Sequence, residues 1–147
     1  MKKFMLYLLV VIVVIQLYRP KKNQSTSVSE NHISTVVDVP NEIQVIMDRS
    51  CNDCHSNNTN YLWYHHIAPI SWVVANHVKE GKEHLNFDEW GSYNENQLKH
   101  IMGDFSETIV KREMPLVGYI KLHPEAILTD DANQILLDWI ATLEVKE

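Results

Sequence analysis

Residues 40–55 read PNEIQVIMDRSCNDCH. Pro40 and Asn41 are helix-opening residues, and Ile43, Ile46 and Met47 then recur on one face at helical spacing, so a short helix runs directly into Cys51. It ends in Cys51-Asn52-Asp53-Cys54-His55, the pattern C-x-x-C-H. The chain has 147 residues and two cysteines, both inside that pattern. No thiol is left for a lipid anchor, a separate disulfide or a four-cysteine zinc site.

Two intervening residues let one turn of chain present both sulfurs to one porphyrin edge, and the next residue brings its imidazole beneath the iron. C-x-x-C-H is accordingly the attachment signal for one covalently bound haem c, with Cys51 and Cys54 forming the thioethers and His55 the proximal iron ligand. Competing readings of the same residues are weaker. A thioredoxin-like dithiol belongs at a helix start in an alternating strand and helix unit, and no run of strands is visible here. A zinc site would recruit His65, His66 or His77, yet the familiar spacing of two histidines is missing.

The distal iron ligand is expected from Met114, in Glu113-Met114-Pro115-Leu116. Pro115 biases Met114 away from helical angles and ends the preceding helix, leaving a thioether on an extended stretch that can turn inward. Methionine with histidine is a standard c-type pair. Met102 shares a stripe with Leu98, Ile101 and Phe105, and Met47 one with Ile43 and Ile46, so both are assigned to core. His65, His66 and His77 offer a bis-histidine alternative, with packing or exposure the favoured role of each. His84, His100 and His123 have no partner spacing, and His32 is read as solvated.

The formal net charge of -6 is unevenly spread. Residues 1–22 carry five bases (Lys2, Lys3, Arg19, Lys21, Lys22) and no acid, which leaves eight bases against 19 acids elsewhere. An acidic body excludes a basic nucleic-acid surface. From Phe4 to Tyr18 every residue except Gln16 is apolar or aromatic, between basic flanks, which reads as a membrane segment. As a helix those fifteen residues reach only ~22 Å, short of the ~30 Å hydrocarbon core, so the flanking bases must snorkel or the bilayer thin. No small-residue cleavage site follows, so an uncleaved anchor is favoured over a signal peptide cut near Ser25 to Ser27. The expected organisation is an N-terminal anchor at 1–22, a polar linker at 23–38 and a haem-binding domain at 39–147. Covalent haem is attached on the outer face of the cytoplasmic membrane, which places the domain on the periplasmic side of the inner membrane.

Every element read from periodicity is a helix. After the first, a second covers about Ser71 to Lys79 with Gly81 as a C-cap. A third covers about Asn94 to Arg112, bent or broken at Gly103. A last follows Thr129 as N-cap, with Ala132, Ile135, Leu136, Trp139, Ile140 and Leu143 in one stripe. The rings of Tyr61, Trp63, Tyr64, Trp72 and Trp90 are read as filling a small core, with a haem-propionate contact as the sharper option.

The order helix, C-x-x-C-H, Met-Pro some sixty residues on, then a helix bearing an aromatic resembles class I cytochrome c. More specifically, CHSNNTNYLWYHHIAPISWVVANHVKEGKEHLNFDEW, with MPL and LHP further on, is similar to the small bacterial haem-binding domain family, over about Val39 to Leu143. Leu62 stands where that family usually has Pro, and Val73 where a second Trp is common. The resemblance implies an all-α domain around one haem, with the first and last helices crossing and Trp139 against Ile43 to Met47. It also implies that Cys51, Cys54 and His55 bind haem, and it puts Met114 on the MPL methionine.

The favoured function is a membrane-anchored, periplasmic electron carrier with no catalytic residue, docking through its acidic body on a basic redox partner protein. The alternative is a haem-based peroxidase or a sensor of NO, CO or peroxide with an open or displaceable sixth position, in which His65 or His77 acts as distal acid and base.

Overall fold

The computed structural model describes residues 2–143; Met1 and residues 144–147, the last four of the expected haem-binding domain, lie outside it. Among the described residues there are eight α-helices, three 3-10 turns and no strand, in agreement with an all-α reading. The helices are α1 (Lys2–Ile15), α2 (Ile33–Val36), α3 (Asn41–Ser50), α4 (Asn52–His55), α5 (Ile70–His84), α6 (Glu95–Val110), α7 (Val117–Ile120) and α8 (Asp130–Leu143). The turns are Trp63–His66, Phe87–Ser92 and Pro124–Ala126.

Three amphipathic helices make the core. Ile43, Ile46 and Met47 of α3, Met102, Phe105 and Ile109 of α6, and Ala132, Leu136, Trp139 and Ile140 of α8 close around Phe87 and Trp90. Each large side chain removed from water there contributes about 1.5–3 kcal/mol. α8 packs on both α3 and α6, so Trp139 and the α3 face share one cluster. Thr129 is its N-cap: the hydroxyl accepts the Ala132 N–H at 3.2 Å, which satisfies one of the free donors of the first turn.

Both glycine expectations need correcting. Gly81 is not a C-cap; α5 runs on past it to His84. A Cβ there would sit 2.8 Å from the Cys54 carbonyl oxygen, so glycine is what lets α5 lie directly against α4. α6 is continuous through Gly103, where a Cβ would meet nothing within 4 Å. Its cost to the helix is entropic and causes no break.

The N-terminal segments also depart from the reading. α1 has 14 residues, about 21 Å of helix. A transmembrane anchor helix is not found: no helix among the described residues is long and apolar enough to cross a membrane. The 23–38 stretch, read as a polar linker, is held against the helical body. Asn23 donates from Nδ2 to the Ser56 carbonyl at 2.8 Å and to Thr59 Oγ1 at 3.0 Å, and its own carbonyl accepts the Thr59 N–H. Ile33 is wholly buried in the core, and His32 caps α2 by accepting the Ser34 N–H on Nδ1. A single isoleucine in a Ser/Thr-rich run leaves no periodic trace, so only the packed chain reveals it.

Candidate haem site

α3 delivers Cys51 as its C-cap, with the Cys51 N–H bonded to the Met47 carbonyl, and α4 closes one turn around the motif. That turn is pinned on both sides. Asp53 accepts the Asn60 N–H on Oδ1 and the Tyr119 hydroxyl on Oδ2, at 2.9 and 2.7 Å, while its carbonyl accepts the Thr59 hydroxyl. Tyr119 is raised well above the usual phenol range by burial and then by that Asp53 contact, so it stays a donor.

The His55 ring is fixed in orientation by one main-chain contact. Its Nδ1 lies 2.9 Å from the Leu85 carbonyl. A carbonyl can be met only by a protonated Nδ1, so the neutral ring carries its lone pair on Nε2, the atom a metal would use. Burial holds the imidazole below its ordinary pKa, against the raising effect of the Leu85 and Gly81 carbonyls. Leu85 is in turn set by the next residues. Buried Asn86 accepts the Asp88 N–H and donates to Asn57 Oδ1 at 3.1 Å, and Asp88 accepts the Asn57 N–H at 2.6 Å. The residues after the motif and the turn after α5 are thereby locked together, with the Leu85 carbonyl between them.

Met114 arrives by a different device. α6 ends in a Schellman turn: the Glu113 N–H bonds to the Thr108 carbonyl and the Arg112 N–H to that of Ile109, with Arg112 at φ 56°. The reversal sends Met114, Pro115 and Leu116 back along the end of α6, all three half-buried.

These parts line one cavity of about 570 Å³, within the usual ~300–1,000 Å³ of cofactor sites. Cys51, Cys54 and His55 stand in its wall together with Met114. Leu85, Phe87, Ile101, Phe105, Ile109, Leu116 and Leu128 supply its apolar lining. Both cysteines are free thiols. Burial pushes the Cys51 thiol up to about 12, with Cys54 adding to it, and burial and Asp53 push Cys54 up to about 11. Protonated, apolar-facing thiols are unlike a thioredoxin dithiol, whose attacking sulfur is held as thiolate. Among the described residues no three His, Cys, Asp or Glu side chains converge as a metal site, which disfavours zinc. Ser50 Oγ, in the cavity wall, is buried with no partner among the described residues. A flat apolar macrocycle with polar edges fits this donor set: two thiols, one imidazole, one thioether.

Met102 and Met47 are core, as expected. His77 lines the cavity from α5, the helix packed on α4; His65 does not line it. None of Tyr61, Trp63, Tyr64, Trp72 or Trp90 lines it either, and only Trp90 fills core as the reading had it; Trp63 is 75 % exposed. What sequence reasoning missed is a second polar cluster beside the motif. His123 is buried, stacks on Tyr119 at 4.1 Å, and meets the Tyr64 hydroxyl at 2.7 Å and Glu125 at 3.2 Å. His65 is buried next to it, its Nδ1 accepting the Leu62 N–H. The only available signal was the LHP string, and two of its partners, Tyr64 and His65, lie some sixty residues away.

Fold and site thus define an all-helical protein with a thiol- and imidazole-lined cofactor cavity. The chain belongs to the haem-binding domain family, whose model matches residues 10–142. That match begins inside α1, well before the Val39 at which the resemblance read from the sequence starts. No curated protein and no solved structure matches the chain.

Proposed function

We propose that the protein is a membrane-anchored, periplasmic monohaem c-type cytochrome that carries electrons. The observation that carries this reading is the meeting, in one cavity, of Cys51, Cys54, a His55 whose Nδ1 is tied to Leu85, and Met114. Cys51 and Cys54 would hold haem covalently, each adding S–H across a vinyl double bond with nothing released, and His55 and Met114 would be its axial ligands. Haem bound there supplies reversible one-electron chemistry. The chain does the rest. Leu85 fixes the orientation of His55, the apolar lining excludes water, and a thioether ligand favours a higher potential than a second imidazole. The packing of α8 on α3 beside the site supports a class I cytochrome c-like arrangement.

Glu80, Asp104, Glu107 and Glu113 are exposed and border the same cavity. They favour a basic docking surface on the redox partner, with association slowing as salt rises. α1 supports membrane attachment, because it is apolar all round and buries no residue against the body.

The test is expression with a cytochrome c maturation system, followed by haem staining of boiled protein on a denaturing gel. Stain in wild type and its loss in Cys51→Ala with Cys54→Ala is the expected result; an unstained wild type overturns the reading. Ferric protein should show a weak far-red methionine-to-iron band that Met114→Ala abolishes. A second reading, a peroxidase or small-ligand sensor, is favoured by His77 in the cavity wall and by the half-buried setting of Met114. High-spin ferric iron and fast CO binding in wild type would establish it over the first.

A further inference from the structure

The junction between α1 and the helical body is built, and it sits beside an exposed apolar patch. Gln16 clamps the backbone of Ala68 from both sides, donating from Nε2 to its carbonyl at 3.0 Å and accepting its N–H on Oε1 at 2.9 Å. Trp72 donates from Nε1 to the Tyr18 carbonyl at 3.0 Å, and the two rings meet edge to face at 5.9 Å. α1 therefore leaves the body at a fixed place, the start of α5. Around that place the body exposes Trp63, Ile67, Ile70 and Val73, the last two on one face of α5, Trp63 in the turn before it and Ile67 just after that turn; Trp63 is 75 % and Val73 52 % exposed. Leu17 and Tyr18 continue the patch toward α1.

We propose that this face of the body docks on the bilayer surface, so that the cofactor cavity is held at a set height and orientation above the membrane instead of swinging on a tether. The inference rests on the reading of α1 as the membrane-inserted element. Length makes the argument. About 21 Å of helix falls short of a ~30 Å hydrocarbon core, and Gln16, at its end, is bound to Ala68. Inserting α1 fully must draw the start of α5 into the headgroup zone. Trp and Tyr with aliphatic neighbours are the side chains that settle at that interface. Charge agrees. Arg19, Lys21 and Lys22 follow at once, all exposed, and bring three cations to the same end of the body, where anionic headgroups would meet them. A soluble redox partner on the same patch is the competing occupant, and it would leave the patch outside the lipid.

The full-length holoprotein, reconstituted in phosphatidylethanolamine and phosphatidylglycerol vesicles, is photolabelled with a lipid-phase diazirine and mapped by mass spectrometry. Label in α1 and in the peptide carrying residues 63–73, the latter several-fold above that in α6, is the expected result. Trp63→Ser with Ile70→Ser should return residues 63–73 to the α6 level with α1 labelling and haem spectrum unchanged. Label in α1 alone overturns the docking and leaves the anchor standing. Label in residues 63–73 without α1 overturns the anchor and keeps the docking, and label in neither overturns both.

Discussion

The two walls of the cavity are held in different ways. The His55 wall is backbone against backbone: α5 touches α4 at Gly81, and the imidazole is tied to a main-chain carbonyl whose own position is set by buried Asn86 and Asp88. The Met114 wall is a helix end, a left-handed Arg112 and a half-buried loop. A ligand held by interlocked backbone can move only if the fold opens, whereas one held by a loop can leave while the fold stands. On the ligation proposed above, the difference would separate a permanent ligand from an exchangeable one, and it is open to attack from either side.

The largest effect is expected at Gly81. Gly81→Ala places a carbon 2.8 Å from the Cys54 carbonyl oxygen, a backbone atom that cannot swing aside, and forcing α5 off α4 should cost about 3 kcal/mol or more, read as a lowered thermal midpoint and reduced haem incorporation. An unchanged midpoint would show that the His55 wall is not rigid. Next comes Tyr119, the strut between the walls. Removing its hydroxyl in Tyr119→Phe takes a donor from Asp53 and should cost roughly 1.5–3 kcal/mol, with a coupling to Asp53→Asn in a double-mutant cycle.

A smaller, pH-dependent term comes from the cluster behind the strut. Burial, and then His123, hold His65 below its ordinary pKa, so below about pH 6.5 the unfolded chain takes up the proton more readily than the folded one. Stability should fall as pH drops through that region, and His65→Gln should flatten this part of the profile in denaturant titrations. A slope that survives the substitution would place the titration elsewhere.

The last two substitutions should stabilise. Gly103→Ala, with open space at its Cβ, should add about 0.5–1 kcal/mol, the opposite sign to Gly81→Ala within the same protein. Arg112→Gly relieves the left-handed residue before Met114 at the expense of its exposed ion pair with Asp130, for a net gain of about 0.5 kcal/mol. If either lowers the thermal midpoint, the Met114 side is more tightly specified than its exposure implies.

Much of this was legible in the chain before folding. α3 and α8 carry stripes of period 3.6, opened by Pro40 in one and capped by Thr129 in the other, so their existence and inward faces follow from local rules. The motif was legible because its spacing is a property of five consecutive residues. Met114 lies in the cavity wall on the non-helical stretch expected before Pro115, although α6 has already ended at its own Schellman turn. Gly81 was misread because a glycine near a helix end and a glycine under another helix look the same in one dimension. The Leu85 carbonyl, Tyr119 on Asp53 and His123 on Tyr64 left no signal, since each pairs residues 30 to 66 positions apart.

The amino-acid sequence by itself determined that the amphipathic stretches of α3, α5, α6 and α8 are helical and which two thiols and one imidazole stand together, because both depend on neighbours within a few positions. Only the tertiary structure decided which nitrogen of His55 is free, how close α5 may lie to the motif, and that Gln16 ties α1 to the body. Those outcomes are set by contacts between distant backbone groups, whose partners become definite only when the core around Phe87 closes.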